Sequence, residues 1–144
     1  MIKLNKKGFT LIELLAVIVI LAVVLVVTIP SVISSMKKAR QGAFQDAIAT
    51  IELYVTSEYE KCMLGDTNLA SYNTNFLSTS CAITATGATT DNATKAIITG
   101  AGYALTDITS VTVAISDGKA RVSAATVGTT SGAKFYDVNV NSLR

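Results

Sequence analysis

Residues 6–30 read KKGFTLIELLAVIVILAVVLVVTIP, and this stretch decides the fold of the chain. Between Phe9 and Ile29 it contains 21 residues, of which only Glu13 is charged. An α-helix rises 1.5 Å per residue, so a helix of this length reaches about 30 Å, the thickness of the hydrocarbon core of a bilayer. The stretch therefore predicts one membrane-spanning helix near the N-terminus.

The residues that flank this run indicate whether it is retained and how it is oriented. A secretory signal peptide has a shorter apolar region followed by a small-residue cleavage site. Here Pro30 follows Ile29 directly and no such site comes after it, so we expect the run to remain in the protein. Lys6 and Lys7 almost touch the run, whereas Lys37 follows eight residues after its end, which favours a cytoplasmic N-terminus.

Glu13 lies near the start of the run, where a carboxylate costs free energy unless it is solvated or paired. Two interpretations stay open: its side chain reaches the headgroup layer, or it binds a cation inside an assembly of helices. If the chain were cut after Gly8, the new α-amino group of Phe9 would supply that cation in the same apolar layer. Such a pair would form between molecules, or by local curling of the helix, and would favour assembly.

Residues 6–14, KKGFTLIEL, resemble the leader and the start of the N-terminal helix of type IV pilins and pseudopilins. The resemblance implies that a membrane-embedded prepilin peptidase cuts between Gly8 and Phe9 and methylates the new N-terminal Phe9. It also implies that Glu13, fifth in the mature chain, acts in filament assembly, and that Lys6 and Lys7 supply the charge of the leader. The resemblance is limited to the N-terminal part of the chain.

A helical period continues beyond Pro30, because apolar residues recur every three to four positions up to residue 62. We therefore expect an amphipathic continuation of the helix over residues 30–62, with a stop near Gly65. Pro30 removes a backbone donor and is expected to kink or locally melt the helix. It could also simply mark the boundary between membrane and soluble parts, whereas the family resemblance implies a segment that unwinds in the fibre.

The remaining residues, 63–144, predict a globular head after a leader (1–8), a spanning or filament-core helix (9–29) and the amphipathic segment. A surface loop is expected over residues 65–94, which are rich in Ser, Thr, Asn and Ala. Strands of an antiparallel sheet with three or four members are expected within 95–140, at 95–99, 110–116, 119–127 and 134–140. Asp117-Gly118 is a tight-hairpin signal between the second and third segments. Packed on the amphipathic helix, such a sheet gives an α+β fold, the arrangement that the resemblance to pilins also implies.

Cys62 and Cys81 bracket the first part of the predicted loop. Outside the cytoplasm they could form a disulfide that holds this loop to the end of the helix, and the alternative is two unpaired thiols. Two cysteines are too few for a disulfide framework or a four-ligand zinc site, and the chain has no His. We therefore expect no metal and no cofactor.

The inventory of side chains also argues against catalysis and against nucleic acid as a partner. There is no phosphate loop, activated-cysteine signature or clustered carboxylate pair, so no catalytic residue is predicted. The net charge is only +2, which gives no broad basic field. Lys119, Arg121 and Lys134, with Phe135 and Tyr136 nearby, could touch DNA, but a solvated sheet face is the favoured interpretation.

Together with the resemblance, these observations predict a structural subunit of a type IV pilus that serves adhesion and motility. Its expected partners are other copies of the chain, the prepilin peptidase, the pilus assembly platform and, before assembly, membrane lipid. The expected location is the cytoplasmic membrane for the single-span precursor and the cell surface for the filament. The alternatives are a pseudopilin of a type II secretion or DNA-uptake apparatus, and an uncleaved single-span anchor that displays a binding domain.

Overall fold

The computed structural model describes residues 8–65, 73–85 and 87–143. The leader charges Lys6 and Lys7, and part of the predicted loop, lie outside the described residues. The chain divides into two compact units, Met1–Met36 and Lys37–Arg144, which we call the anchor unit and the head unit.

The first element is helix α1, Leu11–Leu64, of 54 residues. Its residues in the anchor unit are exposed throughout, and an 18-residue window has a mean hydropathy of 3.2. Within the described part of the chain, α1 is the one helix that is long and apolar enough to cross a membrane. The helix continues through Pro30, so no melting is observed at this residue, and the kink stays a prediction.

In the head unit α1 buries one stripe of side chains, because its apolar residues recur at helical spacing. Phe44, Ile51 and Val55 on this stripe are completely buried. The ring of Phe44 lies edge-to-face on that of Phe135, with ring centroids 5.8 Å apart. The core of the head is therefore built on the amphipathic half of the helix, as the sequence predicts.

A β-hairpin packs in this core and confirms two of the predicted strands. Strand β1, Ile108–Ser116, pairs antiparallel with strand β2, Lys119–Val127. Asp117 and Gly118 form the turn, and both have positive φ angles, of 52° and 74°. Positive φ at both central residues is what a two-residue turn requires to match the twist of its strands, and Asp-Gly provides it. With α1 and a second short helix, the hairpin gives the predicted α+β fold.

The predicted strand at 95–99 is wrong, because these residues lie within helix α2, Asn92–Gly100. The Asp91 carboxylate caps this helix and also accepts a hydrogen bond from the hydroxyl of Thr94 at 3.1 Å. Buried residues such as Ile97 then follow at helical spacing. The composition of the segment 95–99 favours a strand. The capping residue Asp91, which favours a helix, lies before this segment. The predicted loop accordingly ends at Asp91 and not at residue 94.

The predicted strand at 134–140 is also wrong. These residues form turns that lead into a short 3-10 helix, Val140–Ser142. Within the described residues the sheet therefore has two strands, not three or four.

The outer edge of β2 cannot pair with a third strand, because side chains of α1 occupy its donors. The N–H of Ala120 donates to the hydroxyl oxygen of Thr56 at 2.9 Å. The N–H of Val122 donates to Oε1 of Glu52 at 2.8 Å. These two bonds satisfy backbone groups that a neighbouring strand would otherwise satisfy, and they also fix the hairpin to the helix.

Candidate functional site

The segment before α1 contains the predicted cleavage site. Gly8, Phe9 and Thr10 are exposed and not helical, and α1 begins at Leu11. A peptide bond in an exposed segment without regular structure is a favourable protease substrate. The bond between Gly8 and Phe9 therefore lies in a suitable conformation for cleavage.

Thr10 and Glu13 form a reciprocal cap at the start of α1. The N–H of Thr10 donates to Oε2 of Glu13 at 2.8 Å, and the Thr10 hydroxyl donates to the same oxygen at 3.0 Å. In return the N–H of Glu13 donates to the Thr10 hydroxyl oxygen at 3.4 Å. This arrangement is a capping box, which satisfies backbone donors that a helix start leaves unpaired. Thr10 was not among the predicted site residues, although the spacing Thr-x-x-Glu before an apolar run is a sequence signature of this cap.

The cap places the Glu13 carboxylate next to the predicted new N-terminus. Glu13 binds the backbone N–H of Thr10, and cleavage after Gly8 would create an α-amino group on Phe9, the preceding residue. The carboxylate thus binds the residue next to the α-amino group that would supply the cation in one of the two interpretations of Glu13. In the described chain its charge is offset by hydrogen bonds within the helix, and not by an ion pair.

The helix that carries this cap has an unusually apolar and unpacked surface. Its side chains from Leu11 to Met36 are exposed, and none of the residues in its most apolar window is buried. An apolar surface of this extent is unfavourable in water and indicates contact with lipid or with other protein chains.

Comparison with known proteins covers this same segment. Residues 3–29 match the family model for the prokaryotic N-terminal methylation motif. This segment is the type IV prepilin signature. No curated protein and no solved structure gives a match to the chain. The predicted resemblance is therefore confirmed over residues 3–29.

The prepilin signature supports a structural subunit, a type IV pilin or a pseudopilin. It also implies processing by a prepilin peptidase and assembly into a pilus-type filament. The signature and the apolar helix together fit a membrane-anchored precursor. The head unit lies beyond the matched residues, so its chemistry has to be read from its own contacts.

In the head unit Cys62 and Cys81 form a disulfide, with 5.7 Å between their Cα atoms. The predicted pair is confirmed, and the alternative of two unpaired thiols is wrong. The bond links the last turn of α1 to the segment 73–85, which contains an isolated β-bridge between Leu77 and Ile83.

Side chains of α1 hold the same segment by a second route. Glu58 is buried, and its carboxylate accepts the N–H of Asn73 at 2.6 Å and binds the Lys61 ammonium at 2.6 Å. The hydroxyl oxygen of Tyr54 accepts a hydrogen bond from the Asn73 side chain at 3.1 Å. The hydrogen bond to Glu58, with its charge, raises the pKa of Lys61. Segment 73–85 is thus fixed by polar contacts as well as by the disulfide.

A set of hydrogen bonds and an ion pair hold the last described turns against α1. Gln41 accepts the N–H of Asn139 at 2.8 Å and donates to the Asn139 carbonyl at 3.0 Å and to the Ser142 hydroxyl at 2.6 Å. Lys37 binds Asp137 with 2.8 Å between ammonium and carboxylate. This hydrogen bond and the attraction of the charges raise the pKa of Lys37 and lower the pKa of Asp137.

The two aromatic residues that could touch DNA differ in exposure, since Tyr136 is 38% exposed and Phe135 is not exposed. Phe135 is completely buried in the head core, so its ring is not available to a nucleotide base. The Lys134 ammonium lies 5.6 Å from the centre of that ring. Lys119 and Arg121 lie on β2 with exposed side chains, as expected for a solvated sheet face.

Among residues 8–65, 73–85 and 87–143, no group of three or more Cys, Asp or Glu side chains could hold a metal ion.

Proposed function

We propose that this chain is a structural subunit of a type IV pilus, with no catalytic role. It enters the cytoplasmic membrane as a single-span precursor, with its N-terminus in the cytoplasm. Prepilin peptidase cuts between Gly8 and Phe9 and methylates Phe9. The pilus assembly platform then draws the subunit from the lipid into a surface filament, in which α1 packs against α1 of other copies.

The observation that carries this proposal is the Thr10–Glu13 cap at the start of a helix whose anchor-unit part is apolar and exposed. In the precursor the cap satisfies the Glu13 carboxylate without a cation, which lowers the cost of holding it in the membrane. After cleavage the α-amino group of Phe9 offers a stronger, charge-assisted partner. A Glu13 that leaves its own cap for the Phe9 terminus of a neighbouring copy would couple processing to assembly.

The charge balance of the mature chain supports dense packing. Removal of residues 1–8 takes away Lys3, Lys6 and Lys7 and leaves nine basic and ten acidic side chains. A subunit that is nearly neutral avoids the self-repulsion that a large net charge would cause among closely packed copies.

The proposal is tested by the N-terminus and the filaments of cells that express the full chain. We expect mass spectrometry of sheared surface material to show N-methyl-Phe9 as the first residue. A chain in the filaments that still carries residues 1–8 would contradict the proposal. Processed protein that never appears in the sheared fraction would instead indicate a pseudopilin, which shares the N-terminal chemistry but builds a short piston for secretion or DNA uptake.

Substitution of Glu13 tests the coupling between the cap and assembly. Glu13→Val is expected to insert into the membrane normally and to yield no surface filaments. The matched control is Glu60→Gln, which alters an exposed carboxylate of the head part of α1 and should leave filaments at the normal level. Normal filaments from Glu13→Val would refute the role given to this carboxylate.

A further inference from the structure

A cleft of about 280 Å³ opens in the head unit between α1, β2 and the last described turn. Its charged lining comes from Asp46 and Glu52 of α1 and from Arg121 of β2. Its apolar walls come from Ile48 of the same helix and from Leu143. The cleft therefore combines charged groups with apolar surface that a flexible alkyl chain could cover.

The charges of this cleft favour a cation. Glu52 already accepts the N–H of Val122, but the Asp46 carboxylate makes no hydrogen bond or ion pair with another described residue. Two carboxylates and one guanidinium leave the lining with one net negative charge. A lysine side chain matches such a site, because its stem covers apolar walls while its ammonium reaches carboxylates.

A lysine with these properties lies on the same helix. Lys38 is exposed and has no partner among the described residues, whereas Lys37 is bound to Asp137. Lys38 precedes Asp46 by eight residues and Glu52 by 14 residues, which correspond to about 12 and 21 Å along the helix axis. Successive residues of an α-helix are rotated by about 100° about the helix axis. Viewed along this axis, Lys38 therefore lies between Asp46 and Glu52. Lys38 thus faces the side of α1 on which the cleft opens.

We propose that the cleft binds the Lys38 side chain of a second copy of this chain. The two copies are parallel, are displaced by about 12 Å along α1 so that Lys38 of one lies level with Asp46 of the other, and are related by rotation about an axis parallel to that helix. Each copy has one lysine and one cleft, so it can give a lysine to one neighbour and accept a lysine from another. This proposal rests on the proposed filament function and adds the contact that sets the stagger between heads.

Disulfide cross-linking in assembled filaments measures this stagger directly. In the full chain, Lys38→Cys is combined with Asp46→Cys, and the native cysteines are left in their own disulfide. We expect oxidised filaments to give dimers and longer ladders on a non-reducing gel. The matched control combines Lys38→Cys with Glu60→Cys, which lies 22 residues away, or about 33 Å along the helix, and should remain monomeric.

Charge-reversal variants test whether the Lys38 ammonium and the Asp46 carboxylate of two copies attract each other. Lys38→Glu and Asp46→Lys should each lower the yield of sheared filaments by about threefold to tenfold, since each places like charges together. The double variant should restore the yield. Lys119→Glu, at an exposed lysine of the hairpin, should have no effect.

Each outcome supports or overturns the proposal. Filaments that do not cross-link through the 38–46 pair would overturn it, as would a double charge variant no better than the single ones. In both cases the filament function stands. If the unaltered chain forms no filaments, the proposed function fails, and this inference fails with it.

Discussion

Removal of the disulfide between Cys62 and Cys81 is expected to destabilise the head unit by about 3 kcal/mol. The bond joins residues separated by 19 positions, so it closes a loop of about 20 residues in the unfolded chain. In the chain-entropy model, a loop of this length loses about 11 cal/mol/K, which is about 3 kcal/mol at 25 °C. For a unit of this size, the loss corresponds to a fall in melting temperature of roughly 10 to 20 °C.

The folded structure should survive the loss of this bond. The loss of stability can then be assigned to the entropy of the unfolded chain and not to a change in the folded structure. Glu58 and Tyr54 hold Asn73 by hydrogen bonds that do not involve sulfur. We therefore expect the Cys62→Ala/Cys81→Ala variant to keep segment 73–85 in place and to lose stability mainly through a more disordered unfolded state.

The assay is urea denaturation of the full chain in detergent, followed by circular dichroism, with hydrogen exchange on the folded protein. The matched control is the unaltered chain with its disulfide reduced, which should show the same loss. The reasoning would be refuted by a loss below about 1 kcal/mol, far under the loop-closure value. It would also be refuted if the amides of segment 73–85 exchanged freely in the folded variant.

Gly100→Ala should lower stability by about 1–3 kcal/mol, because an added Cβ would overlap the hydroxyl end of the Tyr54 ring. Gly42→Ala is its control, since nothing lies within 4 Å of its Cβ position, and thermal unfolding should show a gain of about 0.5–1 kcal/mol. The ion pair of Lys37 and Asp137 makes the stability of the head unit depend on pH. Because the pKa of Asp137 is lowered, its contribution is present above the ordinary aspartate pKa of about 3.9 and is lost as pH falls through the lowered value. Asp137→Asn should therefore lower the urea midpoint near neutral pH, and this loss should shrink as the pH falls through the lowered pKa of Asp137; a loss of equal size across this range would contradict the assignment.

The parts of the fold that the sequence predicts correctly are those with a local signal. The apolar run from Phe9 to Ile29 specifies a helix by its own length and composition. Asp117 and Gly118 specify a hairpin turn, because few residue pairs accept two successive positive φ angles. The Thr10–Glu13 cap also has a local signal, the spacing Thr-x-x-Glu before an apolar run, and it gives the carboxylate partners that neither the headgroup layer nor a bound cation supplies.

The parts that could not be predicted depend on contacts between residues far apart in the chain. Residues 134–140 have the composition of a strand, but Gln41 binds Asn139 across 98 positions and holds them as turns. The Val122 donor that a further strand would need is bound to Glu52, 70 positions away. The cleft is likewise formed only when helix, strand and final turn come together.

The hydrogen bonds from Ala120 and Val122 to Thr56 and Glu52 bear on aggregation. An open strand edge is a template on which another chain can add a strand, and repeated addition leads to cross-β fibrils. Copies of the head would be crowded at high local concentration in a filament, where such pairing would be most favoured. In the filament that we propose, the helix side chains would keep the edge of β2 from adding such a strand, so growth through contacts between helices would not compete with strand addition at this edge.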